Sequence, residues 1–506
     1  PSSAASDVYK RQEKEQRAAE RVRTKPAPAP VQQLRQSVQK MSLSSTSSTS
    51  SRSSTPTPKL TMSREQILDE LRQQDATGRR ELGLVVVGHV DAGKSTLMGH
   101  ILHDLGVMSD REHQKNVRNS AKAGKGSFAY AWTLDSSEEE RARGVTIDVA
   151  QDTFRTASTV FHLLDTPGHS DFVPNMISGA AQADAGVLVV DAITGAFESG
   201  FCLRGQTREH ATLLRSLGVQ QLIVVVNKLD AANYSQARYD EICAQLLPFL
   251  EHCGFSLEKV QVLPCAAVTG ENLAQRSEHP LLAWYTGPSL AEALDQLQQP
   301  PRLFDAPLRL PVSNVFRGSA ISLGLGVSGR IVSGLVQVGE VVRPLPGDEY
   351  GFVKAIECDG DTRTWAAAGS NVTLHLTQIE ANMVRIGDVL CTPEHAVPLV
   401  SNVLVQILAF QPTYPLVKGT ALEVFHHSAD LPGQLTELVA LLDKGTGEVV
   451  KDHPRVVPHN ATALVRVSLS HASPMEDYRT NKEMARLLFR MNGETVAAGI
   501  IVEASP

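Results

Sequence analysis

Three short motifs carry most of the chemistry that can be read from this sequence. GHVDAGKS (88–95) fits G-x-x-x-x-G-K-[ST], a loop whose backbone N–H groups curl around phosphate oxygens. Its candidate phosphate-binding set is His89, Val90, Asp91, Ala92, Gly93, Lys94, Ser95 and Thr96. Lys94 supplies a point charge to the terminal phosphates, and the Ser95 hydroxyl is a ligand for Mg²⁺. DTPGH (165–169) offers Asp165 to Mg²⁺ through water, the Gly168 N–H to the outermost phosphate, and His169 to orient a water for in-line attack. In NKLD (227–230), Asn227 and Asp230 present an amide and a carboxylate, with the Lys228 stem along the base. A carboxylate accepting two N–H bonds matches guanine N1 and N2, so the expected ligands are GTP and GDP. Between the first two motifs, EEERARGVTIDV (138–149) contains Thr146, expected to complete the Mg²⁺ shell and sense the third phosphate. The charged front half of that stretch reads as a solvated helix face. A Gly-rich turn, an Asp-Thr-Pro-Gly turn or an NKxD is ordinary when found alone. Their order, each behind an apolar run, separates them from chance.

Those apolar runs are the positioning elements. LGLVVVG (82–88), TVFHLLD (159–165), AGVLVVD (185–191) and QLIVVVN (221–227) are continuous and rich in β-branched residues, as buried parallel strands are. Helical patterns lie between them, such as TREHATLLRSLG closed by Gly218. Strands alternating with helices imply a doubly wound, mainly parallel sheet over about 80–300. The Pro-rich stretch from Pro300 to Pro311 ends that pattern. Beyond it, short strands with Gly/Pro turns predict an all-β region, either one large barrel or two small ones. A second boundary is expected near Thr392 to Pro398. Residues 1–60, with a Pro/Ala run and a Ser/Thr block, lack the apolar groups to offset chain entropy and read as a disordered tail. SREQILDELRQQ, from Ser63, predicts a short amphipathic helix, read as a linker with docking as the lesser option.

The totals set outer limits. The chain has 506 residues, 42% hydrophobic and 20% charged, with a formal charge of −7. That length suits about three domains. No run reaches the roughly 20 apolar residues that span a bilayer. The mildly acidic balance argues against coating nucleic acid through bulk charge. Six cysteines without a C-x-x-C pair fit neither a disulfide scaffold nor structural zinc, and suggest a reducing compartment, the cytoplasm.

Together, GHVDAGKST, RGVTID, DTPGH and NKLD resemble the translational GTPases of the elongation factor 1-alpha group. Within it, the stretches at 121–149, 172–219 and 441–450 resemble the Hbs-type ribosome-rescue GTPases. The resemblance implies a P-loop GTPase domain over 81–302 and two β-barrel domains over 303–396 and 397–506, with the linker helix read from the residue pattern placed before them, over 61–80. It implies a GTPase that is monomeric on its own and carries a Pelota-type, tRNA-shaped partner to the empty decoding site of a stalled ribosome. Val90 and Val145 match the apolar gate between the catalytic His and the water, and Thr146, Gly168 and His169 match the catalytic positions. Three departures stand out. Ala266, before Ala267 on the guanine side, replaces the usual Ser, leaving backbone N–H groups to meet guanine O6. Ser170 replaces the common Lys after DTPGH. The last strands keep Arg486 and Arg490, expected at the surface or in contact with a partner or ribosomal RNA.

Sister factors that deliver a termination factor or aminoacyl-tRNA share these catalytic residues. AKAGKGSFAYAW and the tail favour rescue over aminoacyl-tRNA delivery. A sulfate-activation GTPase usually has Asp in place of Ala92, and a non-hydrolysing scaffold would not need His169 and Thr146. No internal arginine finger is evident, so slow intrinsic hydrolysis is expected, with activation in trans by the ribosome.

Overall fold

The computed structural model describes residues 62–76, 80–135, 137–143, 145–203, 205–317, 324–358, 360–410 and 414–505. The disordered tail expected over 1–60 lies outside the described residues. The first domain is built on six strands: β1 (Arg80–Gly88), β2 (Ala150–Arg155), β3 (Thr159–Asp165), β4 (Ala185–Asp191), β5 (Gln221–Asn227) and β6 (Val260–Pro264). Their order is β2-β3-β1-β4-β5-β6, and all but β2 run parallel. The four apolar runs are the four central strands. The two edge strands were not signalled, because β2 buries only Phe154 fully and β6 only Leu263 and Pro264.

The helices in chain order are α1 (Arg64–Ala76), α2 (Lys94–Asp104), α3 (Asp110–Lys122), α4 (Glu138–Arg143), α5 (Val173–Ala180), α6 (Ala196–Phe201), α7 (Gln206–Leu217), α8 (Gln236–His252) and α9 (Leu290–Asp295). Alternate residues of β1 face opposite layers. Val85 and Val87 join Met176 of α5, Leu214 of α7 and Leu246 of α8. Leu84 and Val86 join Leu97 and Ile101 of α2 and Leu294 of α9. Gly218 ends α7 at φ 108, where a side chain would be strained. The motif loops follow the C-terminal ends of β1, β3 and β5, the edge where open α/β sheets bind ligands.

Beyond Pro300 the chain forms two small barrels. In the first, Val341–Leu345 pairs with both Val389–Cys391 and Gly351–Cys358, closing a ring through Leu310–Arg317, Leu325–Arg330 and Asn371–Thr377. In the second, Ala421–His426 pairs with both Ala429–Leu442 and Arg486–Met491, closing through Glu494–Ser505, Leu399–Ala409 and Thr462–Pro474. Closure removes the exposed edges of open sheets.

Helix α1 is docked rather than a free linker. Ser63 and Gln66 cap each other's backbone N–H groups, and Ile67 and Leu71 pack on Leu335 and Ala367 of the first barrel. Trp365 Nε1 donates to Glu70 at 3.2 Å, and the Arg64 guanidinium reaches the Ala306 carbonyl at 3.1 Å.

Buried ion pairs join the domains. Asp184, just before β4, accepts a bidentate pair from Arg302 at 2.7 Å and a further bond from Arg330 of the first barrel at 2.6 Å. Arg309 and Glu476, 2.6 Å apart, tie the two barrels together. Arg486 and Arg490 are not surface arginines: Arg486 donates to Ser216 O of α7 at 3.3 Å, and Arg490 is buried.

Candidate functional site

The loop after β1 takes backbone conformations that its sequence permits. Gly88 and Gly93 adopt φ 152 and 89, and Asp91 sits at φ 59. A Cβ on Gly88 would collide with the Val189 carbonyl, so the first glycine is required for β1 to pass that close to β4. The Gly88 N–H donates to Nδ1 of His210 on α7 at 3.2 Å. Burial, then the Lys94 charge, pushes that imidazole down to about 3, so it stays a neutral acceptor beneath the loop. Sequence reasoning missed His210, since a lone His in a helix pattern carries no signal.

Lys94 opens α2 and is buried. Its Nζ donates to Gly88 O at 3.1 Å and His89 O at 3.0 Å, and burial lowers its pKa. A Cβ on Gly168 would strike the same Nζ. The ammonium and the Gly168 backbone therefore meet at one point. Lys94, Ser95, Thr146, Gly168 and His169 line a cleft of about 500 Å³ open to solvent, together with Val90, Asp91, Gly93, Thr96 and Val145.

The Mg²⁺ ligands expected from sequence also converge. Ser95 Oγ lies 3.1 Å from Thr146 Oγ1. Asp165, at the end of β3, is fully buried, and neither carboxylate oxygen has a hydrogen-bond partner. Burial raises its pKa to about 7. An orphaned buried carboxylate beside two hydroxyls fits a hydrated divalent cation, whose charge would offset the desolvation. Asp135, missed by the sequence reading, accepts the Thr146 hydroxyl at 3.0 Å and lines the cleft, and burial lifts its carboxyl to about 6. With its hydrogen on Asp135, Thr146 keeps its lone pairs for Ser95 and a metal. The acidic run at 138–140 is only partly a solvated face. Glu140 is buried and accepts the N–H groups of Ile147 (3.1 Å), Asp148 (3.3 Å) and Ser137 (3.1 Å), fixing the chain on either side of Thr146.

On the base side, Asn227 Nδ2 donates to Ala92 O at 2.9 Å, joining the base loop to the phosphate loop. Lys228 sits at φ 60 with its ammonium 2.8 Å from Asp191. The guanine-side amides differ from the expectation. Ala266 N–H donates to Glu271 O at 3.3 Å and Ala267 N–H to Asn227 Oδ1 at 3.0 Å, so both are used inside the protein. The next amide, that of Val268, has no such bond among the described residues.

His169 stands at the cleft mouth, its side chain 45% exposed, with Nδ1 accepting the Asp171 N–H at 3.2 Å. A neutral ring bonded in this way carries its hydrogen on Nε2. No arginine lines the cleft among the described residues. Also among them, no helix is long and apolar enough to cross a membrane.

Comparison with known proteins agrees with this geometry. Residues 79–300 match the elongation factor Tu GTP binding domain, and residues 402–502 the GTP-eEF1A C-terminal domain-like family. The chain is 41% identical to Protein HBS1 of Drosophila melanogaster, over 87% of this chain and 66% of that protein, so it spans slightly less than two thirds of that relative. It is 41% identical to the elongation factor 1 alpha-like protein of Schizosaccharomyces pombe, over 83% of this chain and 69% of the other. Elongation factor 1-alpha of Staphylothermus marinus is 38% identical, with 85% and 98% covered. The GTP-bound Ski7 GTPase-like domain of Saccharomyces cerevisiae shares the fold, with TM-score 0.71 at 19% identity and 85% and 99% coverage. The motifs, the cleft shared by the first two, the Asn227 bond that ties the third to the phosphate loop and these relatives together establish that the chain belongs to the elongation factor 1-alpha group of translational GTPases and is related to HBS1.

Proposed function

We propose that this chain is a ribosome-dependent GTPase that carries a Pelota-type, tRNA-mimicking factor to stalled ribosomes in mRNA surveillance. One observation carries the dependence on an outside activator: the half-exposed His169 shares the cleft with Val90 and Val145, and no arginine of the described cleft lining is present to stabilise transition-state charge. The likeness to HBS1 supports rescue as the process.

Ser95 and Thr146 would hold Mg²⁺ directly and Asp165 through water; bound there, the ion neutralises charge on the outer phosphates. Lys94 and the Gly168 N–H, which stand side by side, would bind those phosphates. Asp230 accepts guanine N1 and N2 hydrogens, and the Val268 N–H meets O6. Val90 and Val145 keep His169 from the water until the ribosome reorders the loop. His169 then donates from Nε2 to orient the water, acting by position and electrostatics more than as a base. His169→Ala is expected to leave GTP affinity within about twofold while removing at least about 100-fold of the stimulated rate. Equilibrium binding and single-turnover hydrolysis measure the two; a large loss of binding would contradict the assigned role.

A further inference from the structure

One buried side chain outside the direct nucleotide contacts is bonded to the guanine-side loop. His100 of α2 is 7% exposed, and its Nδ1 lies 2.6 Å from the Ala267 carbonyl oxygen. A carbonyl only accepts, so Nδ1 carries the hydrogen and donates it. The ring lies flat on Tyr130, with centroids 4.0 Å apart and planes at 9°. Tyr130 in turn stacks on His113 of α3 at 4.4 Å. On the other side, Gly270 turns the loop at φ 89 so close that a Cβ would come within 3.0 Å of the His100 ring.

The bond closes a chain of contacts through the whole base side. Ala92 O accepts from Asn227 Nδ2, Asn227 Oδ1 accepts from Ala267 N–H, and Ala267 O accepts from His100. Ala266 has no hydroxyl to fix this loop. Its further ties are two backbone bonds, Ala266 N–H to Glu271 O at 3.3 Å and Gly270 N–H to Ala266 O at 2.9 Å, and a long bond from the Thr269 hydroxyl to Ala266 O at 3.4 Å. The free amide of Val268 is the residue directly after the carbonyl that His100 holds.

We propose that His100 is a positioning residue for guanine recognition, setting the Val268 N–H where O6 must lie. The proposal rests on the guanine reading of the cleft and deepens it. Its test is competition binding of GDP and 6-thio-GDP, which replaces O6 with a poorer acceptor, to the full chain. His100→Ala should weaken GDP about 10-fold and 6-thio-GDP much less, because that analogue gains little from the O6 bond. His100→Asn places an amide N–H near the Nδ1 position and should restore the wild-type ratio of the two affinities. His100→Gln reaches the Nε2 position instead and should not. This pair decides the matter even if His100→Ala fails to fold. An unchanged GDP to 6-thio-GDP ratio in every folded variant would overturn the proposal alone. A wild-type chain that binds GDP no better than ADP would overturn the guanine reading and the proposal with it.

Discussion

Asp165 and Asp184 both bury their carboxylates within one domain, and the protein treats them in opposite ways. Asp184 has every charge answered. Burial alone would raise its pKa, but the Arg330 and Arg302 guanidiniums hold it far below the usual carboxylate range. Asp165 has no well-formed hydrogen bond; burial raises it to about 7, and the Ser95 hydroxyl and the Lys94 charge offset that only in part. A buried charge without a partner is costly. The fold tolerates that cost at the end of β3, where the proposed cation would complete the site, and avoids it at the domain junction. Burial alone therefore does not separate architecture from function; the state of the partners does.

Substitutions at the two sites should give opposite results. Asp184→Asn leaves two arginines buried without a counter-charge, and we expect a loss of about 3–5 kcal/mol in unfolding free energy, independent of Mg²⁺. Denaturant unfolding measures it, and a loss under about 1 kcal/mol would mean that water reaches the junction and screens the charges. Asp165→Asn removes a charge without removing volume, so the nucleotide-free chain should be at least as stable as wild type. Its Mg²⁺-dependent gain in GTP affinity should fall about 10–100-fold, read by titrating Mg²⁺ against bound fluorescent nucleotide. Destabilisation without any change in Mg²⁺ dependence would erase the contrast.

Two buried histidines extend the comparison to groups kept neutral. Burial lowers His210 from 6.5 to about 3 and His426 from 6.5 to about 4. Between those values and 6.5 the unfolded chain binds more protons than the folded one. The share of stability that each histidine contributes should therefore fall as pH drops below 6.5, by at most about 1.4 kcal/mol per pH unit, while the raised carboxyls of Asp165 and Asp135 act in the opposite direction. Urea midpoints of wild type and His426→Gln compared at about pH 7 and about pH 5 isolate one ring, and the variant should gain on wild type at the lower pH. A difference between the two that does not move with pH would show that the His426 ring is hydrated.

How much of this was legible in the sequence depended on where each signal lies. The central strands β1, β3, β4 and β5 are apolar throughout because both faces are covered, and each motif follows such a strand. Edge strands β2 and β6 bury too few residues to give that pattern. Lys94, Ser95, Thr146, Asp165 and His169 were readable because the chemistry fixes their types and local spacing; the cleft brings together all but Asp165, which is buried at the end of β3. Asp135, His210 and His100 act through contacts 11, 122 and 167 residues away in the chain, which no local pattern encodes. Arg486 and Arg490 looked like surface charges because the partners that bury them come from elsewhere in the fold. Helix α1 read as a linker for the same reason, since Leu335 and Ala367 lie far along the chain.

The most direct test of the proposed function is GTP hydrolysis by the full chain with and without ribosomes, each with and without a Pelota-type factor. Slow turnover alone, with stimulation that requires ribosome and factor together, is the expected result. Fast turnover by the isolated chain, or stimulation by ribosomes with charged tRNA or a release factor and none with the Pelota-type factor, would contradict it.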